Sequence, residues 1–163
     1  MNDIITQTFG NRLRLRVCGL LIEKDQILLL KHKGIGKLGY LWSPAGGGVQ
    51  FGELIEDALK REFLEETSLI VEVQRFAFVY EYCQPPLHSV ELFFFVTRSP
   101  ENLAQTFRQG SDPELSAQDQ MIVEIAMLSI EELQQIPSEG IHEVLRNLTN
   151  WQDLYDLPTY IKE

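Results

Sequence analysis

Three glutamates, Glu62, Glu65 and Glu66, close a run that begins with the glycines Gly46, Gly47 and Gly48. At about 100° per residue, Glu62 and Glu66 share one row of a helix and Glu65 lies just beside it. The apolar residues Leu54, Ile55, Ala58, Leu59 and Phe63 fall in the same half, so a stripe suited to a core leads into carboxylates. Close, inward-facing acids repel one another and cost desolvation free energy unless positive charge sits among them. All-oxygen ligation is what Mg2+ or Mn2+ prefers. A glycine backbone that can approach closely, followed by an acidic helix, suits a metal-bound phosphate compound.

The element that must hold these acids is a helix predicted over residues 53–67. Gly52 serves as its N-cap, and Glu53, Glu56 and Asp57 place negative charge in the first turn, where the helix dipole favours it. Glu53, Glu56, Asp57, Lys60 and Arg61 take the outer half.

Gly47, five residues, Glu53, seven residues, then Arg61-Glu62-Phe63-Leu64-Glu65-Glu66 resembles the Nudix box, the signature of the Nudix (MutT-like) hydrolases. The resemblance is specific over residues 47–69 and extends more loosely over residues 13–148. It departs at Ser68, where the family has a glycine that ends the helix in a left-handed turn. A serine there implies a slightly strained helix end with the chemistry intact.

The resemblance implies an α+β fold, a Nudix-type α/β/α sandwich with a mixed β-sheet between helices. It implies hydrolysis of the diphosphate bond of a nucleoside diphosphate derivative, of the ADP-ribose or nucleotide-sugar type, with Mg2+ or Mn2+. Glu62, Glu65 and Glu66 are then metal ligands, joined by a backbone carbonyl near Gly46 or Gly47. Glu53 and Arg61 complete the catalytic set with Glu62 and Glu66, as an ion pair that shapes the box. The general base is Glu62 in some members and a loop acid in others. Here the loop candidates are Asp112, Glu114 and Asp119, with Glu124 just beyond. Two other readings stand beside this one: a (d)NTP pyrophosphatase of the housecleaning type, and a non-catalytic nucleotide sensor. Retention of the box glutamates speaks against the sensor. Pro85, sixteen residues past Leu69, matches a cue of ADP-ribose members, although Pro85-Pro86 is also a plain hairpin turn.

The rest of the chain supplies the frame. At 163 residues and 44% hydrophobic content, it reads as one domain with a core over residues 12–148 and a C-terminal tail. A net charge of -10 argues against polymeric nucleic acid or anionic membrane as partner, but not against a small phosphorylated nucleotide. Two cysteines, Cys18 and Cys83, suggest no disulfide framework and a cytoplasmic setting. No apolar run is long enough to span a bilayer.

Residues 1–11 read as a tail or edge strand. Residues 12–22 and 27–33 form a hairpin about the turn at residues 23–26. Residues 34–44 are irregular and lead to the glycines, which places Tyr40, Trp42 and Lys37 near a substrate. Each aromatic suits stacking on a ring or anchoring the loop in the core, and Lys31, Lys33 and Lys37 suit phosphate contacts. Residues 70–82 and 90–98 are antiparallel strands, the second central. Residues 99–120 form a long polar loop, the kind that is often functional. A strand follows at residues 121–128, then a helix at 130–136 capped by Ser129, and a second helix at 141–151. The tail after it packs on the body or mediates self-association as a homodimer. His32, His88 and His142 lack metal-ligand spacing and read as surface or strand residues.

Overall fold

The computed structural model describes residues 3–110 and 120–163. Its elements are α1 (Asp3–Phe9), β1 (Arg12–Glu23), β2 (Gln26–Lys33), β3 (Tyr40–Ser43), β4 (Gly46–Gly48), α2 (Ile55–Thr67), β5 (Val71–Gln84), β6 (Leu87–Arg98), β7 (Ile122–Leu128), α3 (Ile130–Gln134) and β8 (Tyr160–Lys162). The sheet runs β3-β2-β1-β6-β5-β8, with β4 on β1 and β7 on β2. It is mixed: β1 lies parallel to β6 and β5 parallel to β8, while the remaining pairs are antiparallel.

Alternation explains the two faces. Val17 and Leu21 of β1, with Leu28 and Leu30 of β2, pack under Ala58, Leu59 and Phe63 of α2. Their neighbours Cys18, Leu20, Ile27 and Leu29 face the other way, onto Ile130 and Leu133 of α3 and onto Val144, Leu145, Leu148 and Leu154. A strand buried on both faces reads as an unbroken apolar run, which is why residues 27–30 are Ile-Leu-Leu-Leu. The result is the α+β sandwich, a mixed sheet between helical layers.

The split that holds the site begins at the first hairpin. Lys24 and Asp25 both adopt positive φ, 48° and 64°, as a two-residue hairpin turn demands. β1 and β2 then pair only at Ile22–Ile27 and Glu23–Gln26 before they diverge. Beyond that point β2 takes β3 along residues 30–33, and β1 takes β4 along residues 16–18. The chain from β3 through Pro44 and Ala45 to β4 bridges the gap, with Gly19 N–H donating to the Ala45 carbonyl at 3.0 Å.

Several sequence expectations are corrected. The N-terminal segment is a helix, α1, and not a tail or edge strand. The stretch at residues 34–44 contains β3, because β2 offers it an open edge. Residues 141–151 hold a 3-10 turn at Glu143–Leu145 instead of an α-helix. The His142 ring accepts from the Val144 N–H, and Asn147 turns to a φ of 62°, so the helical spacing is spent on single turns. The tail adds β8 to β5 and packs Ile161 against the core, so it is engaged within its own chain. The strands at residues 71–84 and 87–98 are longer than expected, with only Pro85 and Pro86 between them.

Candidate active site

α2 starts two residues later than its sequence suggests. Leu54 is the N-cap, with no side-chain cap and 72% exposure, and Gly52 lies in the preceding loop at a φ of 84°. The reason is Glu53. Its carboxylate accepts from the Gln50 N–H at 3.1 Å and from the Arg61 guanidinium at 2.8 and 3.1 Å, which holds the residue in the loop. At the other end Ser68 takes a left-handed φ of 61° and donates its N–H to the Leu64 carbonyl at 3.0 Å.

Arg61 leaves the outer half of the helix through its length. Its guanidinium reaches Glu53, Glu62 at 2.8 Å, Glu65 at 3.1 Å and the Gly48 carbonyl at 3.1 Å. One cation therefore ties the loop, β4 and the acidic row together. The same contacts hold its proton well above the usual arginine range, with Glu53 contributing most.

Glu62 and Glu66 are buried, at 5% and 4% exposure, and both rest against the glycine strand. A Cβ added to Gly47 would overlap the Glu62 carboxylate at 2.4 Å. Gly46 donates its N–H to Glu66 Oε2 at 2.9 Å, and a Cβ there would meet the Val17 carbonyl at 2.0 Å. Glycine is thus required at both positions by close approach. Burial raises the Glu62 pKa, and the opposing pull of Arg61 does not cancel it. Glu53, nearer solvent, is lowered by Arg61.

Among the described residues no three acid, histidine or cysteine groups converge in metal-binding geometry, and Arg61 engages Glu62 and Glu65. The donor set nevertheless fits a hard dication: carboxylate oxygens at the end of one helix, against a backbone strand with no side chain in the way.

The other candidates are distributed around this centre. Trp42 is buried in the α3-side core beside Ile141, whereas Tyr40 is half-buried and Lys37 fully on the surface. Lys31 lies over both aromatic rings, 5.0 Å from Tyr40 and 5.5 Å from Trp42, and pairs with Glu124 at 3.4 Å. Glu124 is therefore already held by a cation on the aromatic side. Asp112, Glu114 and Asp119 lie outside the described residues. The chain leading to them is pinned to α2, with Gly110 N–H donating to the Glu66 carbonyl at 2.8 Å and Arg108 N–H to the Thr67 carbonyl at 2.9 Å.

One group of residues escaped the sequence reading. Arg16 of β1 and Glu91 of β6 are register partners, and Arg16 also stands opposite Gly48 of β4. Glu91 accepts from Ser89 Oγ at 3.1 Å, lies 3.4 Å from His142 Nε2, and receives the Cys18 thiol at 3.8 Å. Burial would push its pKa up, but Arg16, His142 and Ser89 outweigh that and hold it down to about 2. His142 is buried at 8% exposure, not at the surface. Arg16 also feels the charges of Glu62 and Glu66, which links this cluster to the box. The available signal was Glu91 itself, a lone acid in the apolar run Val-Glu-Leu-Phe-Phe-Phe.

A mixed-sheet sandwich carrying an acid-rich helix against a glycine strand defines a class, and comparison with known proteins agrees. The NUDIX domain model matches residues 12–152, and the chain belongs to that family. It is similar to a MutT Nudix hydrolase of Burkholderia pseudomallei (TM-score 0.62, 19% identity, covering 85% of this chain and 99% of that one). It is also similar to a MutT protein of Methanosarcina mazei Go1 (TM-score 0.63, 16% identity, 90% and 92% covered). At those identities the likeness is one of fold. Two curated relatives match over shorter segments. The ADP-ribose pyrophosphatase of Methanocaldococcus jannaschii is 46% identical over 61 residues, 37% of this chain and 36% of that protein. The oxidized purine nucleoside triphosphate hydrolase of Mus musculus is 43% identical over 60 residues, 36% and 37%. The match thus spans little more than a third of either relative's length.

Proposed function

We propose that this protein is a Mg2+- or Mn2+-dependent pyrophosphohydrolase acting on a small nucleoside diphosphate derivative of the ADP-ribose or nucleotide-sugar type. The observation that carries the reading is the seating of the Glu62 carboxylate in the space a side chain at Gly47 would fill, with Glu66 accepting from the Gly46 N–H. Glu62, Glu65 and Glu66 would hold the cation, together with a backbone carbonyl near Gly46 or Gly47. When bound, a dication draws charge from phosphate oxygens and favours attack by water. Glu62, buried against Gly47 with its pKa raised by that burial, is the described acid that suits the part of proton acceptor. Arg61 keeps the acids aligned and its charge offsets part of their mutual repulsion, while Glu53 holds its guanidinium in place. Tyr40, half-buried beside Lys31, is the aromatic available to a base or ring, whereas burial assigns Trp42 to the core.

A (d)NTP pyrophosphatase is the second reading, favoured by the comparable match to the oxidized purine nucleoside triphosphate hydrolase. A cytoplasmic setting accords with Cys18 and Cys83, both unpaired. No helix among the described residues is long and apolar enough to cross a membrane.

The test is phosphate release from ADP-ribose, nucleotide sugars, dinucleoside polyphosphates, NADH and the (d)NTPs, with Mg2+ and with Mn2+. Chelator-sensitive turnover of one class, lost in Glu66→Gln with the fold retained, is the expected result. Turnover undiminished in that variant would remove the ligand assignment. No turnover, with a nucleotide still raising the melting temperature, would favour the sensor.

A further inference from the structure

Arg16 forms an ion pair with Glu91, yet among the described residues its Nε has no hydrogen bond. That Nε is buried, with Glu91 Oε1 3.3 Å away. That carboxylate is already occupied: Oε1 accepts from Ser89, and Oε2 faces His142 and the Cys18 thiol. The Arg16 side chain remains 26% exposed, so it is not sealed from solvent although its Nε is buried. Guanidinium presents five donors and takes phosphate oxygens in a fork. A buried donor left unpaired is costly, and β1 places this one across from Gly48, at the edge of the box.

The surroundings explain why the arginine does not collapse onto the box acids. Glu91 is fixed from three sides and holds Arg16 by charge on the β6 side, while Glu62 and Glu66 attract it from the α2 side. The Arg16–Glu91 pair is neutral as a unit. It leaves the acids available for a dication while keeping a positive guanidinium beside them.

We infer that Arg16 binds an anionic phosphate oxygen of the substrate on the sheet side of the box, with Glu91 as its positioning residue. This deepens the hydrolase reading and rests on it for the identity of the substrate, but not for phosphate binding itself. A diphosphate at the box would then be held at β1 by Arg16 as well as at the acid row of α2, whose carboxylates would hold the dication. Glu91 acts only through Arg16, because its own oxygens are taken.

The experiment measures binding of inorganic pyrophosphate and of ADP-ribose by calorimetry, with Ca2+ in place of Mg2+, alongside KM and kcat with Mg2+. Arg16→Gln is expected to weaken pyrophosphate binding about tenfold and raise KM more than it lowers kcat. Arg16→Lys should recover part of the loss, and Arg12→Gln, an exposed arginine on the same strand, should change nothing. Because Arg16→Gln removes the arginine that offsets the buried charge of Glu91, the double variant Arg16→Gln/Glu91→Gln keeps the test valid should the single variant unfold. Wild-type protein that binds no pyrophosphate, or a folded variant with unchanged pyrophosphate affinity and KM, overturns the assignment. Pyrophosphate binding that depends on Arg16 in a protein with no turnover supports Arg16 and removes the hydrolase reading instead.

Discussion

Ser68 shows how one residue can depart from its family at a small cost. The left-handed φ of 61° is kept, with a serine where glycine would rest without strain. Ser68→Gly is expected to raise stability by about 0.5–1 kcal/mol, the net of relieved αL strain and added chain entropy. Urea unfolding reads this directly, and a loss of stability would show that the turn is not strained. His32 makes a second prediction. Burial and then Arg16 lower its pKa from 6.5 to about 4. The unfolded chain therefore binds a proton below pH 6.5 that the folded chain refuses until about pH 4. The stability tied to His32 is complete above pH 6.5 and lost as pH falls towards 4. His32→Gln should flatten the dependence of stability on pH in that window. An unchanged slope would place the titrating group elsewhere.

At the scale of elements, α2 is held by a few side chains. Phe63, Leu59 and Ala58 are fully buried, and a Cβ on Gly19 of β1 would meet the Phe63 ring at 2.3 Å. The strand has been thinned to let the ring in. Phe63→Ala is expected to cost about 3–5 kcal/mol, because the packed sheet beneath it cannot close the void. It should also loosen Glu62 and Glu66, which flank Phe63 on the same helix face, so metal-dependent turnover should fall with stability. Denaturation and kinetics on one sample would separate the two effects. Full activity at reduced stability would mean that the acids are held by Arg61 and β4 alone.

Across the whole molecule, charge and metal are linked. The chain carries a net charge of -10, and its buried acids sit where a dication would relieve their repulsion. Mg2+ at a hundred times its dissociation constant should stabilise the fold by about 2.7 kcal/mol. For a domain of this size that corresponds to a rise in melting temperature of about 5–10 °C. Thermal scans with and without EDTA check this, and Glu62→Gln or Glu66→Gln should shrink the response. A melting temperature indifferent to Mg2+ in the wild type would argue against a resident cation.

The acid row of α2, the glycines before it, the first hairpin and the helix cap at Ser129 were legible in the sequence, because each rests on interactions between residues a few positions apart. The helix start was misplaced by two residues, since Glu53 is drawn into the loop by Arg61, a partner eight residues away. The 3-10 turns at residues 143–145 and the return of the tail as β8 were not legible. The tail needs the edge of β5, supplied from far along the chain, and the turn follows the His142 ring and the left-handed Asn147 instead of the apolar spacing. Arg16, Glu91 and His142 lie on three separate segments, and no local spacing joins them. Sequence alone determined which acids stand together on one helix. Only the tertiary structure decided what stands across the glycine strand from them, because the pairing of β1 with β4 and β6 sets Arg16 opposite Gly48 and Glu91.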